Sequence, residues 1–96
     1  MSGTKDAQTI SKPAMRHLEG EFMLLMGEVL KHGQDKYGAE NWKQPPLNDQ
    51  DYKDARLRHA FKSGADDDTG IDHLVHEACN CMMEWWHKNN KKQTLL

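Results

Sequence analysis

Apolar residues recur at spacings of three and four over two long stretches, which is the pattern of an amphipathic α-helix. In the first stretch, Ala14 to Lys31, the apolar positions are Met15, Leu18, Phe22, Leu25, Met26 and Val29. In the second, Thr69 to Asn89, they are Ile71, Leu74, Val75, Ala78, Met82, Trp85 and Trp86. The pattern therefore predicts two long helices, each with one buried side.

Local signals add the helix ends and a third, shorter helix. Ser11 followed by Pro13 is typical of a helix start, and Gly33 is typical of a stop. A middle helix is predicted from Asp51 to Ser63, with Asp49 or Asp51 as its cap. No segment alternates with period two, so the predicted fold class is all-α, a small bundle of three main helices completed by oligomerisation.

The length of 96 residues fits a single domain. We expect a flexible N-terminal tail at residues 1–12, one helical domain at 13–90 and a frayed C-terminal tail at 91–96. A domain of this size buries only about 60–65% of its unfolded surface, which favours a homo-oligomer. The candidates for that subunit contact are Met82, Met83, Trp85 and Trp86.

Composition narrows the class of partner. Charged residues are 29% of the chain and the net charge is −2, which argues against a nucleic-acid partner but not against a small anion held by local cations. Cys79 and Cys81 point about 200° apart on a helix and do not bridge, and free thiols are typical of a reducing compartment. No membrane span or signal-peptide pattern is found, so a cytoplasmic location is expected.

The stretch "KHGQDKYGAENWK", Lys31 to Lys43, opens a predicted loop of about 17 residues, and loops of that length are usually functional or disordered. Tyr37 and Trp42 are candidates to stack on a nucleobase, and equally candidates to pin the loop by packing. Lys36 and the arginines of the middle helix are candidates to bind phosphate oxygens.

Polar residues also share helix faces. On the last helix these are His73, Glu77, Asn80 and Glu84, with His76 beside them, and on the first His17, Glu21 and Glu28. Carboxylates on facing helices can hold a divalent metal, and Mg²⁺ prefers oxygen ligands and bridges to phosphates. Asp66, Asp67 and Asp68 are further candidate ligands, although such acids are also typical of helix caps and solvated faces.

The pair His73-x-x-His76 offers two ligands to zinc. Three protein ligands are the usual minimum, and no cysteine lies on that face of the helix. This spacing alone therefore does not indicate a zinc site.

Three blocks of sequence, in order, carry a family resemblance. "HGQDKYGAENW" contains Gly-x-x-Lys-Tyr-Gly-x-x-Asn-Trp, "YKDARLRH" ends in Arg-His, and "DDDTGIDHLVHEACN" contains an acidic turn, Gly-Ile-x-His-Leu-x-His and an Asn. Over residues 21–86 the chain resembles a phage-rich family of dATP/dGTP diphosphohydrolase-like domains. That family is similar to the MazG-like all-α nucleotide pyrophosphohydrolases, which cleave nucleoside triphosphates between the α and β phosphates with Mg²⁺.

The resemblance implies a nucleotide-binding domain at residues 13–90 that releases dNMP and pyrophosphate from purine deoxynucleotides, with Mg²⁺, or alternatively Mn²⁺, as cofactor. The implied substrate-binding residues are Lys36, Tyr37, Asn41, Trp42, Arg58, His73 and Asn80. Together with the helix faces, it gives His59, His76 and Glu77 as candidate catalytic residues. The candidate metal ligands are Asp66, Asp68, Glu77, Glu21 and Glu28.

Departures from the family pattern keep other functions open. The related enzymes carry Glu-x-x-Glu on one helix and Glu-x-x-Asp on another. This chain has Leu24 and Leu25 where a second carboxylate would follow Glu21, and Asn80 three residues after Glu77. A smaller set of carboxylates favours a second hypothesis, a protein that sequesters a nucleotide or nucleotide signal, for example in counter-defence, without turnover. A third hypothesis is a helical adaptor that binds a host protein through its Met and Trp surface.

Overall fold

The computed structural model describes residues 12–91. Three α-helices cross this range, α1 (Gly20–Tyr37), α2 (Asp49–Ala60) and α3 (His73–Asn89), with short 3-10 turns at Met15–His17 and Asn41–Lys43. Helix α3 packs against both α2 and α1, so it is the central helix of the bundle. Within the described range there is no strand, only an isolated bridge between Ala65 and Asp72, and the predicted all-α fold is confirmed.

No helix between residues 12 and 91 has the length and apolarity needed to cross a membrane. Most of the two predicted tails, residues 1–11 and 92–96, lies outside the described residues.

The predicted bounds of the first helix are wrong by six residues at each end. Helix α1 begins at Gly20 rather than Ala14, passes through Gly33 and ends at Tyr37. It stops at Gly38, whose φ of 96° suits a residue without Cβ and whose N–H donates to the Gln34 carbonyl at 2.8 Å. As a result Tyr37 lies on the last helical turn, and the connection to α2 is shorter than predicted.

The predicted starts of the other two helices are also corrected. Helix α2 is capped by Asn48, whose side chain accepts from the Gln50 and Asp51 backbone N–H groups while Asp51 accepts from the Asn48 N–H. Helix α3 begins at His73 with Asp72 as cap, not at Thr69. The segment from Asp66 to Thr69 is therefore a separate acidic turn placed ahead of the helix.

The apolar core of the described region is small, and its buried hydrophobic residues are Ile71, Val75 and Cys79. The predicted apolar side of the last helix is wrong at Leu74 and Trp85, which are 65% and 63% exposed. Periodicity shows which residues share a helix face, but two overlapping faces of α3 fit the same pattern. The face of α3 that packs is the one directed toward α2, where its buried polar side chains form hydrogen bonds.

The connection between α1 and α2 is fixed at Trp42. Its ring lies edge-on to Trp86, with centroids 5.5 Å apart. Its carbonyl accepts hydrogen bonds from the Tyr52 hydroxyl at 3.1 Å and from His87 Nε2 at 2.6 Å. Trp42 thus acts as a packing anchor, and Trp86, a predicted subunit-contact residue, is half-buried against it within the chain.

Candidate functional site

A cavity of about 660 Å³ lies between the C-terminal half of α1, the connection after it, α2 and the N-terminal half of α3. Its volume falls in the range of small-molecule sites, roughly 300–1,000 Å³. The predicted site residues that line it are Lys36, Tyr37, Asn41, Trp42, His59, Asp66, Asp68, His76 and Asn80. We call this cavity the central pocket.

The acidic turn forms the polar end of the central pocket. Asp66 Oδ1 accepts from the backbone N–H groups of Asp68 at 2.9 Å and Thr69 at 3.0 Å. These bonds, led by the one from Thr69, hold the pKa of Asp66 below its ordinary value, so the carboxylate is ionised. Lys36 forms an ion pair with Asp68, which ties the end of α1 to this turn.

Three histidines stand against the turn. His59 on α2 and His73 on α3 have their Nδ1 atoms 2.8 Å apart, so one ring donates to the other. His59 also stacks on His76 with ring centroids 4.6 Å apart and planes 10° from parallel. Burial is the main cause that lowers the pKa values of His59 and His76, with neighbouring imidazoles adding to it, so both rings are neutral at pH 7.

Thr69 joins the histidines to the acidic turn. Its hydroxyl oxygen lies 2.7 Å from His76 Nε2 and 3.3 Å from Asp66 Oδ1, and it accepts from the Ile71 N–H at 3.2 Å. The single hydroxyl hydrogen can be donated to Asp66 while His76 Nε2 donates to the oxygen. These linked hydrogen bonds fix the orientation of the His76 ring.

Other lining residues of the pocket are aromatic or apolar. Tyr37 is 67% exposed at its rim, and Trp42 is half-buried. The apolar lining also includes Val29, Leu30, Leu47, Cys79 and Met83. The pocket lining therefore combines charged groups with aromatic and apolar ones, as an amphipathic ligand requires.

Several predicted site residues do not line the central pocket. Arg58 is exposed on α2, because it is one residue, or about 100°, from His59 around the helix. Glu21 and Glu28 are exposed on α1, which contributes only residues from Val29 onward. Glu77 is half-buried outside the lining, and His73 also lies outside it, beside the lining residues His59 and Asp66.

The facing rows of carboxylates predicted on α1 and α3 are therefore not brought together. Helix α1 turns its apolar side toward α3, which leaves its glutamates in solvent, and Glu84 of the α3 row pairs with Arg56 of α2 instead. The acids that reach the pocket come from loops rather than from helix faces.

Sequence reasoning missed other lining residues. His32 and Gln34 line the pocket from α1, and a helix extended to Tyr37 would have placed His32 one turn before Lys36. Thr69 was hidden in the acidic turn, where nothing in the sequence indicated its contact with His76. Glu40 also lines the pocket and pairs with Lys43 at 3.1 Å.

One group of side chains in the described region has the spacing of metal ligands. One ligand atom each from His59, Asp66 and His73 lie within 4.8 Å of one another. Two of these donors are imidazole nitrogens, whereas Mg²⁺ prefers oxygens. The acidic turn offers one further carboxylate to the pocket, that of Asp68, but it forms an ion pair with Lys36. The available donors therefore fit Mg²⁺ only in part.

Comparisons with known proteins agree with the sequence blocks. The family model described as "dATP/dGTP diphosphohydrolase, N-terminal" matches residues 2–95. A protein of Salmonella phage PMBT28 named "dATP/dGTP diphosphohydrolase" is 32% identical over 95 residues, which are 95% of this chain and 31% of the relative. The chain thus spans about a third of that relative, and no solved structure gave a match. Since the family model covers nearly the whole chain, the protein belongs to the dATP/dGTP diphosphohydrolase N-terminal domain family.

Proposed function

We propose that the chain binds a purine deoxynucleoside triphosphate in the central pocket and, with a divalent metal ion, hydrolyses it to the monophosphate and diphosphate. The observation that carries the proposal is the composition of the pocket. Lys36 and Tyr37 from α1, Trp42 from the connection, His59 from α2 and Asp66 from the acidic turn all line one cavity. The name of the phage relative supports the choice of substrate.

The charged and the aromatic lining residues of the pocket suggest how the nucleotide lies. The triphosphate would lie at the end formed by Lys36 and the acidic turn, where the ammonium group can exchange part of its contact with Asp68 for a phosphate oxygen. The base would cover the side formed by Tyr37 and Trp42, because any base can stack on an aromatic ring.

Charge at the acidic turn calls for a cation between it and the phosphates. A divalent ion there would neutralise phosphate charge and lower the pKa of a bound water. Asp66 would accept a hydrogen bond from that water or ligate the ion, since its Oδ1 is held by the turn while Oδ2 points toward His73. Thr69 and His76 would keep Asp66 in place.

Incubation with each dNTP and a divalent metal, followed by chromatographic separation of the nucleotides, tests the proposal. dATP and dGTP should be converted to the deoxynucleoside monophosphate and inorganic pyrophosphate. Lys36→Ala should slow turnover by about tenfold or more, since it removes a charge-assisted phosphate contact. Lys53→Ala, which removes an exposed lysine of α2 outside the pocket, is the matched control.

A binding protein without turnover is the second candidate. The observation that favours it is the absence of Glu21, Glu28 and Glu77 from the pocket lining, which leaves few acids to hold an ion. Such a protein would be stabilised against thermal unfolding by a dNTP while the nucleotide stays intact. If no dNTP is converted to product and none stabilises the protein, both candidate functions are excluded.

A further inference from the structure

We propose that His59, Asp66 and His73 form a binding site for a transition-metal ion of the Mn²⁺ to Zn²⁺ series, in preference to Mg²⁺. The inference deepens the proposed function by naming the class of ion at the pocket. It can nevertheless be tested without nucleotide, because it concerns binding of the metal alone.

The two histidines already have nearly the separation that a shared ion requires. Two nitrogens 2.8 Å apart, each about 2.1 Å from one ion, subtend an angle of roughly 84°, close to that of adjacent ligands in an octahedron. Without an ion, a single hydrogen between the two Nδ1 atoms holds the rings together. An ion would be bound by the Nδ1 lone pairs of both rings once the donating ring has moved its hydrogen from Nδ1 to Nε2, so that each ring carries its single hydrogen on Nε2.

Asp66 supplies the third donor. Its Oδ1 atom is occupied by the backbone of the acidic turn, while its Oδ2 atom lies 4.0 Å from His73 Nδ1. Neighbouring ligand atoms around an ion at about 2.1 Å are roughly 3 Å apart in an octahedral site, so Asp66 has to approach by about 1 Å. A side chain that is otherwise anchored through Oδ1 can make this shift by rotating its carboxylate.

The surroundings hold the ligands in place. His73 is 6% exposed in the first turn of α3, and the His59 ring is stacked on His76. Support of this kind orients imidazole ligands and commonly changes metal affinity by about 10–100-fold.

The donor types select the ion. Imidazole nitrogen suits the later divalent transition metals, whereas Mg²⁺ seeks an all-oxygen octahedron. Three protein ligands also leave positions open for water or substrate. Because His59 and Asp66 line the central pocket, those open positions would face the proposed phosphate end.

The test uses the untagged full chain, stripped of metal with a chelator. Calorimetric titration with Mg²⁺, Mn²⁺, Co²⁺ and Zn²⁺ should show Co²⁺ and Zn²⁺ binding at least about 100-fold more tightly than Mg²⁺. The visible absorption of bound Co²⁺ should show nitrogen ligation. Equal affinity for Mg²⁺ and Co²⁺, or no Co²⁺ absorption band, would overturn the inference.

Matched variants locate the site. Asp66→Asn keeps an oxygen for the turn but removes the charge, and Asp67→Asn does the same to an exposed neighbour on the same turn. Likewise His59→Ala removes a ligand, while His32→Ala removes a pocket histidine outside the cluster. Co²⁺ affinity should fall about tenfold or more in the first member of each pair only.

Equal losses in the two members of each pair would show binding by scattered surface groups and would overturn the inference. Circular dichroism of each metal-free variant checks folding, and Asp66→Asn carries the test if His59→Ala does not fold. Tight Co²⁺ binding without dNTP hydrolysis would leave the inference standing and overturn the proposed activity. Hydrolysis that runs on Mg²⁺ with no Co²⁺ site would do the reverse.

Discussion

The two halves of α3 both bury polar side chains, but they pair them differently. In the C-terminal half, Glu84 accepts from Arg56 Nε at 2.7 Å, and His87 Nε2 donates to the Trp42 carbonyl at 2.6 Å. In the N-terminal half, His73 and His76 turn ring nitrogens toward another histidine, a hydroxyl and the pocket.

The difference separates stability from chemistry. Buried groups with a permanent partner contribute to folding, and removing one member of a pair leaves the other desolvated. Two imidazoles that share a hydrogen bond beside a cavity can give up that bond and bind a metal ion or a substrate group in its place. We therefore expect substitutions in the C-terminal half of α3 to act mainly on stability, and substitutions around the pocket to act mainly on binding.

The largest effect on stability is expected for His87→Ala. It removes the hydrogen bond to Trp42 and the ring contacts with Tyr52 and Trp86. The free energy of unfolding should fall by about 2–4 kcal/mol, measured by urea denaturation. His17→Ala, at an exposed position before α1, is the control and should change it by less than about 0.5 kcal/mol. A similar loss in both variants would contradict the comparison.

Glu84→Gln should have the next largest effect, about 1–2 kcal/mol at pH 7, because it weakens a charge-assisted pair. The hydrogen bond from Arg56 is the main cause that holds the pKa of Glu84 below its ordinary value of 4.5. A carboxylate whose pKa is lowered in the folded state stabilises the fold at pH values above its ordinary pKa. This stabilisation is lost as the pH falls through the folded-state pKa.

The difference in stability between wild type and Glu84→Gln should therefore be full at neutral pH and should disappear in acid. Thermal unfolding across this pH range measures it, with Glu28→Gln, an exposed glutamate on α1, as the control. A difference that does not depend on pH would show that the Arg56 pair is not its source.

Tyr37→Ala should leave stability nearly unchanged, since the side chain is 67% exposed. It should weaken dNTP binding by about 1–3 kcal/mol, the usual contribution of a ring stacked on a base. Phe61→Ala removes an aromatic ring that is 87% exposed and lies outside the pocket, so its affinity should match wild type. Calorimetric or fluorescence titration measures both, and equal affinities for the two variants would place the base elsewhere.

The smallest effect on stability, below about 0.5 kcal/mol, is expected for Trp85→Ser. Of the residues predicted to form a subunit contact, Trp86 packs on Trp42 and Met83 lines the pocket, whereas Trp85 is 63% exposed. If the predicted oligomer uses this side of α3, the variant should lower its mass by light scattering at micromolar concentration. A monomeric wild-type protein would contradict that prediction.

The sequence predicted the fold class and much of the pocket lining. Helical periodicity predicted the two long helices and local signals added the third. The ordered blocks of the family pattern singled out residues such as Lys36, Tyr37 and Asp66 that meet in one cavity. The interpretation of Gly33 as a helix stop was wrong, because a helix tolerates an interior glycine when its neighbours pack.

The errors at the site have a common origin. Arg58 and Glu77 have the right chemistry, but their helix angles point them away from the pocket. Exposed Leu74 and buried His73 are neighbours on α3, so the apolar pattern alone could not show that the polar residue faces inward. The choice depends on what α2 presents opposite.

The sequence by itself determined an all-α chain, its family and a set of residue types suited to a nucleotide, because local periodicity and ordered motifs are written along the chain. Only the tertiary structure decided that His59, Asp66 and His73 come together while Glu21 and Glu28 remain in solvent. The physical reason is that side chains from separate elements meet only after α2 and α3 pack, and this packing selects one face of each helix.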